Sequence, residues 1–517
     1  MAELKDLERT ASIDKTDFAI AKTADTDIHS LEYQEYLTLS EHFTGKTLDR
    51  LHRKIDWHVL PPLMVIYMMT YVDRSNVGNA KLFGAQSDLG MNATDWNIGL
   101  SLLFISFALF APFSAAIANK YSPRIYLTVV FFGCGASIIA AGCVANKAGW
   151  YALRLVLGLF EAGTLCLGVP GVSFYVLAIW YTPGVYASRS SWFYLAATVS
   201  GAISGLLAYG IGQLDHHWGY RGWRWIYVLE GFISVMLAII LAFFLQTNPE
   251  RAKKWLDEKE RRFIMLRSKF EYGSDKGGNS SIFDVKAYAS AFKSPHFSII
   301  AFGHLSFATG IYAFQFTLPT IIANMGYKAA AAQGLSAPPY IAAVFSVWIC
   351  GYFSDKYKQR TVMVMIPSAV AIIGLIMCWT TAGHHNLVAV TYTGCMIACI
   401  GFYPLTPMYF TFYALNNAGA SKRAAALGGS MFFGQAGGVL GSNIYLASQA
   451  PKYPVGFGIS AGLLTFGNLI VPALYYLWVG RINASRAAMP EEEIRAKYTP
   501  EELEAMGDRS PLYFYAR

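Results

Sequence analysis

The sequence predicts an all-α polytopic membrane protein with twelve transmembrane helices in two six-helix bundles. Of 517 residues, 54% are hydrophobic and only 14% are charged, whereas soluble domains carry about 25% charged residues. The apolar residues form blocks of about 20, the length that crosses a bilayer as a helix. A polar segment divides the twelve blocks into six and six. This composition excludes an ordinary soluble enzyme.

Five segments organise the chain. Residues 1–56 form a polar tail without the apolar core of a signal peptide. Residues 57–246 hold the first six helices, 247–296 form a charged linker, 297–480 hold the last six helices, and 481–517 form a second tail. The predicted spans, helices 1 to 12, are 57–77, 97–118, 125–145, 149–179, 190–212, 223–246, 297–323, 336–354, 361–381, 387–413, 424–447 and 456–480.

The distribution of Lys and Arg predicts the orientation. With both termini inside, the cytosolic segments hold 33 of the 41 Lys and Arg residues and the external loops hold five. Cytosolic loops of membrane proteins are enriched in these residues. We therefore expect a plasma-membrane protein with both termini and the linker in the cytosol. The net charge of +8 reflects this topology and does not indicate nucleic-acid binding.

A weak internal repeat follows the second helix of each half. The first copy runs from Asn119 to Arg124, and the second from Gly351 to Arg360. A repeat at half the chain length, with a polar linker between the halves, is typical of a two-bundle transporter.

Several motifs resemble those of a known family. Gly351, Asp355 and Arg360, with Lys356 between them, match the Gly-x-x-x-Asp-x-x-x-x-Arg gating-loop signature of the major facilitator superfamily. Gly222-Trp223-Arg224-Trp225, followed by Glu230-Gly231, resembles the start of the sixth helix of that superfamily. The motifs that resemble the fungal allantoate permease family, a group of anion:cation symporters, are Asp73 to Ala80, Arg154-x-x-x-Gly158-x-x-Glu161-Ala162-Gly163, Lys422-Arg423-Ala424, and Ala450-Pro451-x-Tyr453. The resemblance covers about residues 57–480 and departs from the family pattern at Asn119 and Gln435.

The resemblance implies the major facilitator fold and proton-coupled uptake of a small organic anion by alternating access, with no cofactor. Allantoate, nicotinate, pantothenate, biotin or another carboxylate would suit it. It places Arg74 on the substrate carboxylate and assigns proton coupling to Asp73 and Glu161.

Charges inside the membrane are candidate functional residues, because each costs at least about 2.5–3.5 kcal/mol at a helix centre. Between residues 297 and 480 the only acidic residue is Asp355, which lies in the gating loop. Carboxylate-based coupling must therefore occur in the first bundle.

Four charges of that bundle, Asp73, Arg74, Arg154 and Glu161, are expected to face one cavity. Arg154 and Glu161 are two turns apart, on one face of helix 4. The four sum to zero when ionised, so protonation of an acid would leave an uncompensated Arg and favour anion binding. An inert salt-bridge network that orients the helices is the alternative. We expect Arg224 and Glu230 to be structural.

The second bundle must offer neutral polar groups. The predicted substrate-binding residues of the whole protein are Arg74, Asn76, Arg154, His304, Tyr312, Gln315, Gln435 and Asn443. Polar packing is the alternative for each neutral residue.

Other functions fit the sequence less well. The expected partners are a small organic anion, protons and the bilayer, with the protein acting as a monomer. Efflux of hydrophobic compounds is the main alternative within transport. A nutrient sensor without net transport would usually carry long cytosolic extensions, whereas the C-terminal tail is short. An enzyme would need a nucleophile or metal cluster, and we find no such motif.

Overall fold

The computed structural model is helical and follows the predicted order of spans, which confirms the all-α prediction. The structure describes residues 31–120, 123–165, 176–177, 180–181, 183–245, 249–271, 292–357, 359–416, 420–499, 502 and 509–515.

Twelve helices correspond to the twelve predicted spans. Their bounds are α1 Gly45–Leu82, α2 Ala93–Lys120, α3 Pro123–Cys143, α4 Lys147–Leu165, α5 Pro183–Gly212, α6 Gly222–Phe244, α7 Pro295–Ala323, α8 Ala337–Tyr357, α9 Arg360–Thr381, α10 in two segments (Val388–Phe402 and Leu405–Leu415), α11 Ala420–Ile444 and α12 Pro454–Ala487, with a π-helical turn at Thr465–Ile470. Shorter helices include Leu31–His42 before α1, Glu258–Glu271 in the linker and Glu491–Lys497 after α12.

Two of the predicted spans differ from the helices that the structure describes. The continuous span predicted at 387–413 is interrupted between Phe402 and Leu405, next to Pro404, whose ring cannot donate a helical hydrogen bond. The described part of α4 ends at Leu165. Residues 166–175 of the span predicted at 149–179 lie outside the described residues.

Nine spans in the described residues are long and apolar enough to cross a membrane. The helices outside this set are α1, α4 and α11. These three contain most of the polar residues singled out above, including Arg74, Glu161 and Gln435. The candidate residues that line the central part of the protein come from α1, α4 and α11 and also from α7, which carries His304, Tyr312 and Gln315.

The chain divides into two compact units. The first comprises Met1–Leu63, Ser173–Ser190 and Phe244–Ile282, and the second comprises Met64–Val172, Ser191–Phe243 and Phe283–Arg517.

Ion pairs hold the first unit together. The helices Leu31–His42 and Glu258–Glu271 are joined by Arg262, which donates to Glu35 at 2.8 Å. This hydrogen bond lowers the pKa of Glu35 below its ordinary value. Asp56 accepts hydrogen bonds from Arg189 at 3.1 Å and from the Tyr181 hydroxyl at 2.8 Å.

The second unit contains two hydrophobic cores. One consists of residues from α1 to α6 and the loops between them, and buries Trp96, Trp150 and Trp223 completely. The other is built almost entirely from α7 to α12 and buries Tyr409 and Tyr475. Each half of the membrane region therefore has its own core.

A C-terminal segment packs back onto α7 and α12 in this unit. The Tyr515 ring stacks on His296 with centroids 4.1 Å apart, and His296 Nδ1 is 3.0 Å from the Tyr475 hydroxyl. Asn483 donates to the Tyr515 carbonyl at 2.9 Å and accepts from its backbone N–H at 3.1 Å. Arg486 donates to the Tyr513 carbonyl. Through these contacts, the segment connects the beginning of α7 to the C-terminal part of α12.

Loss of the Tyr515 ring should destabilise the protein. Tyr515 is 6% exposed, and removing a buried aromatic ring costs about 3 kcal/mol. We expect Tyr515→Ala to lower the melting temperature of the purified protein, measured by intrinsic fluorescence. Phe514→Ala is the matched control because Phe514 is 54% exposed. Equal melting temperatures for the two variants would contradict this role for the segment.

His52 in the first unit should make stability depend on pH. Burial lowers its pKa from 6.5 to about 4, and the nearby charges of Arg267 and Arg189 add to this effect. Below about pH 6.5 the unfolded chain binds a proton that the folded protein excludes, so the free energy of unfolding falls as the pH falls.

We expect His52→Gln to reduce the loss of stability between about pH 7 and pH 5. Thermal melts across this range measure the effect. His42→Gln, at an exposed position of the same unit, serves as the control. An unchanged pH dependence in His52→Gln would count against a neutral buried imidazole.

Candidate functional site

A polar run of α1 is buried in the second unit. Asp73 is 1% exposed, Arg74 2% and Asn76 0%. Charged and polar side chains are costly in such surroundings unless they are paired or hydrogen-bonded. The partners of these residues therefore define the site.

Arg74 forms an ion pair with Glu161 of α4. Its Nε donates to Glu161 Oε2 at 2.6 Å, and both side chains are buried. Its Nη1 donates to the Tyr312 hydroxyl of α7 at 3.1 Å. Arg74 thus joins α1 to α4 within the first half and contacts the second half.

Aromatic rings surround the Arg74 guanidinium. The ring centroids of Phe107, Tyr71 and Phe104 lie 5.2, 5.6 and 5.8 Å from its Cζ. Each contact of this kind contributes about 0.5–2 kcal/mol of attraction to a cation. The rings therefore stabilise the charge of Arg74 without neutralising it.

Glu161 reaches Arg74 because α4 lies directly against α2. A Cβ at Gly158, three residues before Glu161, would overlap Ser106 Oγ and the Leu103 carbonyl. Only glycine permits this approach of the two helices. The lack of a side chain at Gly158 therefore allows α4 to lie close enough for Glu161 to reach Arg74.

Arg154 is held by other groups. Its Nη2 donates to the Tyr227 hydroxyl of α6 at 3.2 Å, and its Cζ lies 4.7 Å from the Trp150 ring centroid. Among the described residues, no carboxylate oxygen lies within 4 Å of its side-chain nitrogens. Although Arg154 and Glu161 lie on one helix, the partner of Glu161 comes from α1.

Two further carboxyl groups are buried in the first half. The oxygens of Asp73 and of Glu230 have no hydrogen-bond partner in the part of the chain that the structure describes. Asn76 accepts a hydrogen bond from the Ser204 hydroxyl at 3.4 Å, while its Nδ2 has no partner among the same residues.

A central cavity of about 60 Å³ lies between helices of the first and second halves. Five predicted residues line it: Arg74, His304, Tyr312, Gln315 and Gln435. The other predicted site residues of the membrane helices, Asp73, Asn76, Arg154, Glu161 and Asn443, are not among its described lining. Small-molecule sites usually measure about 300–1,000 Å³, so the cavity is narrow in this conformation.

The second half contributes neutral polar groups to the cavity, as expected from the sequence. Gln315 donates from Nε2 to the Ser75 hydroxyl of α1 at 2.8 Å. His304 stacks on Phe307 with centroids 5.0 Å apart. His304 Nδ1 and Gln435 Oε1 have no partner within the described residues. Both atoms are buried, and they belong to residues that line the cavity.

The remaining predicted residues lie elsewhere. Asn443 is exposed and donates to the Ser101 hydroxyl of α2 at 3.0 Å. In the predicted gating loop, Gly351 lies in the last part of α8, Arg360 donates to Ser354, and Lys356 Nζ lies 5.8 Å from the Tyr352 ring centroid. The side chain of Asp355 lies outside the described part of the structure.

Sequence reasoning missed the aromatic wall of the cavity. Tyr67 and Tyr71 line it together with Arg74. The three recur at i, i+4 and i+7 on one face of α1, a spacing that could have identified them. Tyr194 and Tyr403 come from distant parts of the chain, and no local pattern marks them.

Comparison with known proteins identifies the class. Residues 63–442 match the Major Facilitator Superfamily. The chain is 36% identical over 501 residues to the MFS-type transporter cnsO of Penicillium expansum, and the aligned region covers 95% of each protein. The chain therefore belongs to the major facilitator superfamily, and it is a transport protein rather than an enzyme.

One further transporter is similar in sequence over most of the chain, and two solved structures share its fold. The chain is 27% identical over 474 residues to the high-affinity nicotinic acid transporter of Saccharomyces cerevisiae, covering 90% of this chain and 84% of that protein. A bacterial homologue of the human lysosomal transporter Spinster matches with a TM-score of 0.58 and 16% identity over 88% of this chain and 90% of the homologue. The Escherichia coli xylose transporter XylE matches with a TM-score of 0.59 and 11% identity over 80% and 96%.

Proposed function

We propose that the protein takes up a small organic anion together with protons by alternating access. The observation that carries this proposal is the buried Arg74, which lines the central cavity and is paired with Glu161 at 2.6 Å. A guanidinium can bind a carboxylate through two parallel hydrogen bonds. Arg74 therefore offers an anion site whose charge is controlled by a titratable partner.

The ion pair gives a route to coupling. While Glu161 is ionised, it neutralises Arg74 and competes with an external anion. When Glu161 binds a proton, Arg74 is left as a buried charge without a counterion, a costly state that a substrate carboxylate relieves. Proton binding and anion binding thus favour each other, as symport requires. Asp73 is the second proton-coupling residue of this proposal.

The cavity wall favours a flat, partly apolar acid. Tyr71, Phe107, Phe307 and Tyr312 line the cavity beside Arg74, and aromatic rings stack on planar ligands. One relative is named a nicotinic acid transporter, and nicotinate is such an acid. We propose nicotinate and related carboxylates as the first substrates to test, with allantoate and pantothenate next.

Efflux of hydrophobic compounds is the second candidate, because most residues that line the cavity are apolar or aromatic. The two functions differ in their dependence on Arg74, since a neutral hydrophobic compound gains little from a guanidinium. A non-transporting nutrient sensor would bind the anion without accumulation. We further propose a plasma-membrane location with both termini in the cytosol, supported by the distribution of Lys and Arg.

Arg74→Lys should raise the apparent KM for nicotinate strongly, because an ammonium group cannot reproduce the two-point contact. We expect at least a tenfold increase, equivalent to about 1.4 kcal/mol. Uptake of labelled nicotinate into proteoliposomes measures it. Nicotinamide, which lacks the carboxylate, should not compete in the wild type. Arg481→Lys, at an exposed arginine that does not line the cavity, is the control, and an equal effect in both variants would contradict the assignment.

Glu161→Gln should uncouple transport from protons. The variant should exchange nicotinate across the membrane but should not accumulate it when the outside is acidic, because the proton-controlled partner of Arg74 is lost. Influx into empty liposomes and exchange in preloaded liposomes separate the two activities. Accumulation at wild-type levels would show that Glu161 is not the coupling group.

The variant Arg74→Gln, Glu161→Gln tests the purely structural alternative. It removes both members of the pair, so no buried charge is left alone. If it binds nicotinate like the wild type, Arg74 serves the architecture of the bundle and the anion proposal fails.

A further inference from the structure

A second cavity of about 200 Å³, the outer cavity, lies at the end of α1 that the distribution of Lys and Arg predicts to be external. Its walls come from α1, α2, α7, α11 and the loop before α12. The described residues that line it all differ from those that line the central cavity. A cavity of about 150 Å³ can hold benzene, so the outer cavity has room for a small aromatic acid.

Lys81, in the last turn of α1, is the only charged residue in the described lining of the outer cavity. Its side chain is half-buried, and within the described chain no carboxylate oxygen lies within 4 Å of its Nζ. Two acids of the neighbouring segments have other partners. Asp88 pairs with Arg221 at 3.4 Å, and Asp95 pairs with Lys147 at 3.6 Å. The charge of Lys81 is therefore left to attract an anion into the cavity.

Neutral polar groups and aromatic rings complete the wall around Lys81. The polar residues of the lining are Asn97, Thr317, Thr320, Asn324, Ser442 and Tyr453, and the rings of Trp96 and Tyr445 lie among them. Hydroxyl and amide groups can donate hydrogen bonds to a carboxylate. The rings give apolar contact to the rest of a flat acid.

Tyr453 occupies its place in this wall with a strained backbone. Its φ of 41° and ψ of 50° are left-handed, which is uncommon for a residue with a bulky side chain. The side chain is nevertheless fixed, because Asn324 Nδ2 donates to its hydroxyl at 3.1 Å and its ring lies 5.7 Å from that of Tyr445. Strain of this kind is concentrated at functional sites.

Three aromatic rings separate the outer cavity from the central one. Tyr312 lines the central cavity and Phe316 lines the outer cavity, one turn apart on α7 with ring centroids 6.3 Å apart. The ring of Phe104 from α2 lies 4.9 Å from Tyr312 and 6.0 Å from Phe316. A Cβ at Gly438 of α11 would lie 2.5 Å from the Phe104 ring, so α11 packs directly on this layer.

The two cavities each contain one cation of α1. Arg74 lines the central cavity and Lys81 lines the outer one. Seven residues make two helical turns, so the two side chains share one face of α1 and are about 10 Å apart along its axis. An anion bound at Lys81 is thus close to Arg74 and separated from it only by a layer of rings.

We propose that the outer cavity is a second carboxylate site, in which Lys81 binds the organic anion before it reaches Arg74. This inference rests on the proposed uptake of an organic anion. Binding requires no covalent step: the carboxylate exchanges water for the Lys81 ammonium group and the neutral donors around it. Displacement of the aromatic layer then opens the way to the central cavity.

The first test is the kinetics of nicotinate uptake in proteoliposomes. Lys81→Gln should raise the apparent KM by about threefold to tenfold, because the local concentration of the anion falls. The kcat should stay near the wild-type value, since Arg74 and Glu161 are unchanged. Lys81→Arg keeps the charge and should retain most of the wild-type KM. Lys328→Gln is the matched control, because Lys328 is an exposed lysine of a predicted external loop that lines neither cavity.

The dependence of KM on salt distinguishes binding by a charge from a structural role of Lys81. Between about 0.01 and 0.15 M salt the screening length falls from about 30 to 8 Å. The KM of the wild type and of Lys328→Gln should rise over this range. We expect a clearly smaller rise in Lys81→Gln.

The second test measures binding without transport. Equilibrium dialysis of the purified protein against labelled nicotinate at acidic pH gives the number of bound molecules. We expect two in the wild type, one in Lys81→Gln and one in the variant Arg74→Gln, Glu161→Gln. Adding Lys81→Gln to that double variant should remove the remaining site, whereas adding Lys328→Gln should not. Nicotinamide should not displace the nicotinate bound by the double variant.

The outcomes separate this inference from the proposed function. If the wild type does not accumulate nicotinate but the double variant binds one molecule that requires Lys81, the proposed function fails with this probe and the outer site stands. If the wild type accumulates nicotinate and Lys81→Gln keeps the KM, the salt dependence and both bound molecules, the outer site does not exist. Equal losses in Lys328→Gln, or equal displacement by nicotinamide, would also overturn a carboxylate site at Lys81.

Discussion

The buried ion pair between Arg74 and Glu161 is the interaction on which the rest of the site depends. A buried pair adds little net stability, but removing one partner costs about 3–5 kcal/mol because a charge is left alone. The pair therefore contributes little to stability, but its charge balance responds strongly when one partner changes its charge. A proton on Glu161 or a carboxylate on Arg74 each changes the same balance. Gly158 admits Glu161 to the bundle, and the rings of Tyr71 and Phe107 support the cation without cancelling its charge.

The polar groups of the candidate site are buried, whereas many large apolar side chains of the membrane helices are exposed. The helices α1, α4 and α11 carry polar residues of the site. They supply Arg74, Glu161 and Gln435, whose side chains are all buried. More apolar helices such as α6 and α12 instead expose large side chains, including Phe243 and Leu474. A helix that carries polar groups can be placed in a bilayer when those groups point into the protein.

Much of the fold was predictable because bilayer thickness imposes a length on each helix that can be counted. Charged candidate residues could be singled out because charge in a membrane is rare. Of the neutral candidates, His304, Tyr312, Gln315 and Gln435 line the cavity with Arg74. The partners of these residues were not predictable from the sequence, because they depend on how separate helices pack. The sequence places Arg154 on the same helix as Glu161, yet the structure pairs Glu161 with α1. Asn443 contacts Ser101 instead of lining the cavity. Likewise, the complete burial of the Glu230 side chain depends on the packing of α6 and could not be inferred from its position in the sequence.

The two halves of the membrane region divide the chemistry between them. All buried acids singled out above lie in α1 to α6, and Asp355 in the gating loop is the only acidic residue between positions 297 and 480. In the described part of the chain, the hydrogen bonds that cross between the halves involve neutral groups of the second half. Tyr312 accepts from Arg74, Gln315 donates to Ser75, Gln333 donates to the Asn79 carbonyl, and Asn443 donates to Ser101. In the proposed cycle, the halves rock against each other around the cavity. Such a motion breaks hydrogen bonds of about 0.5–1.5 kcal/mol between neutral groups, and the bond of about 1.5–3 kcal/mol from the charged Arg74 to Tyr312, and it leaves the ion pair of the first half intact. Proton chemistry can then proceed in one half while the other opens and closes the path of the substrate.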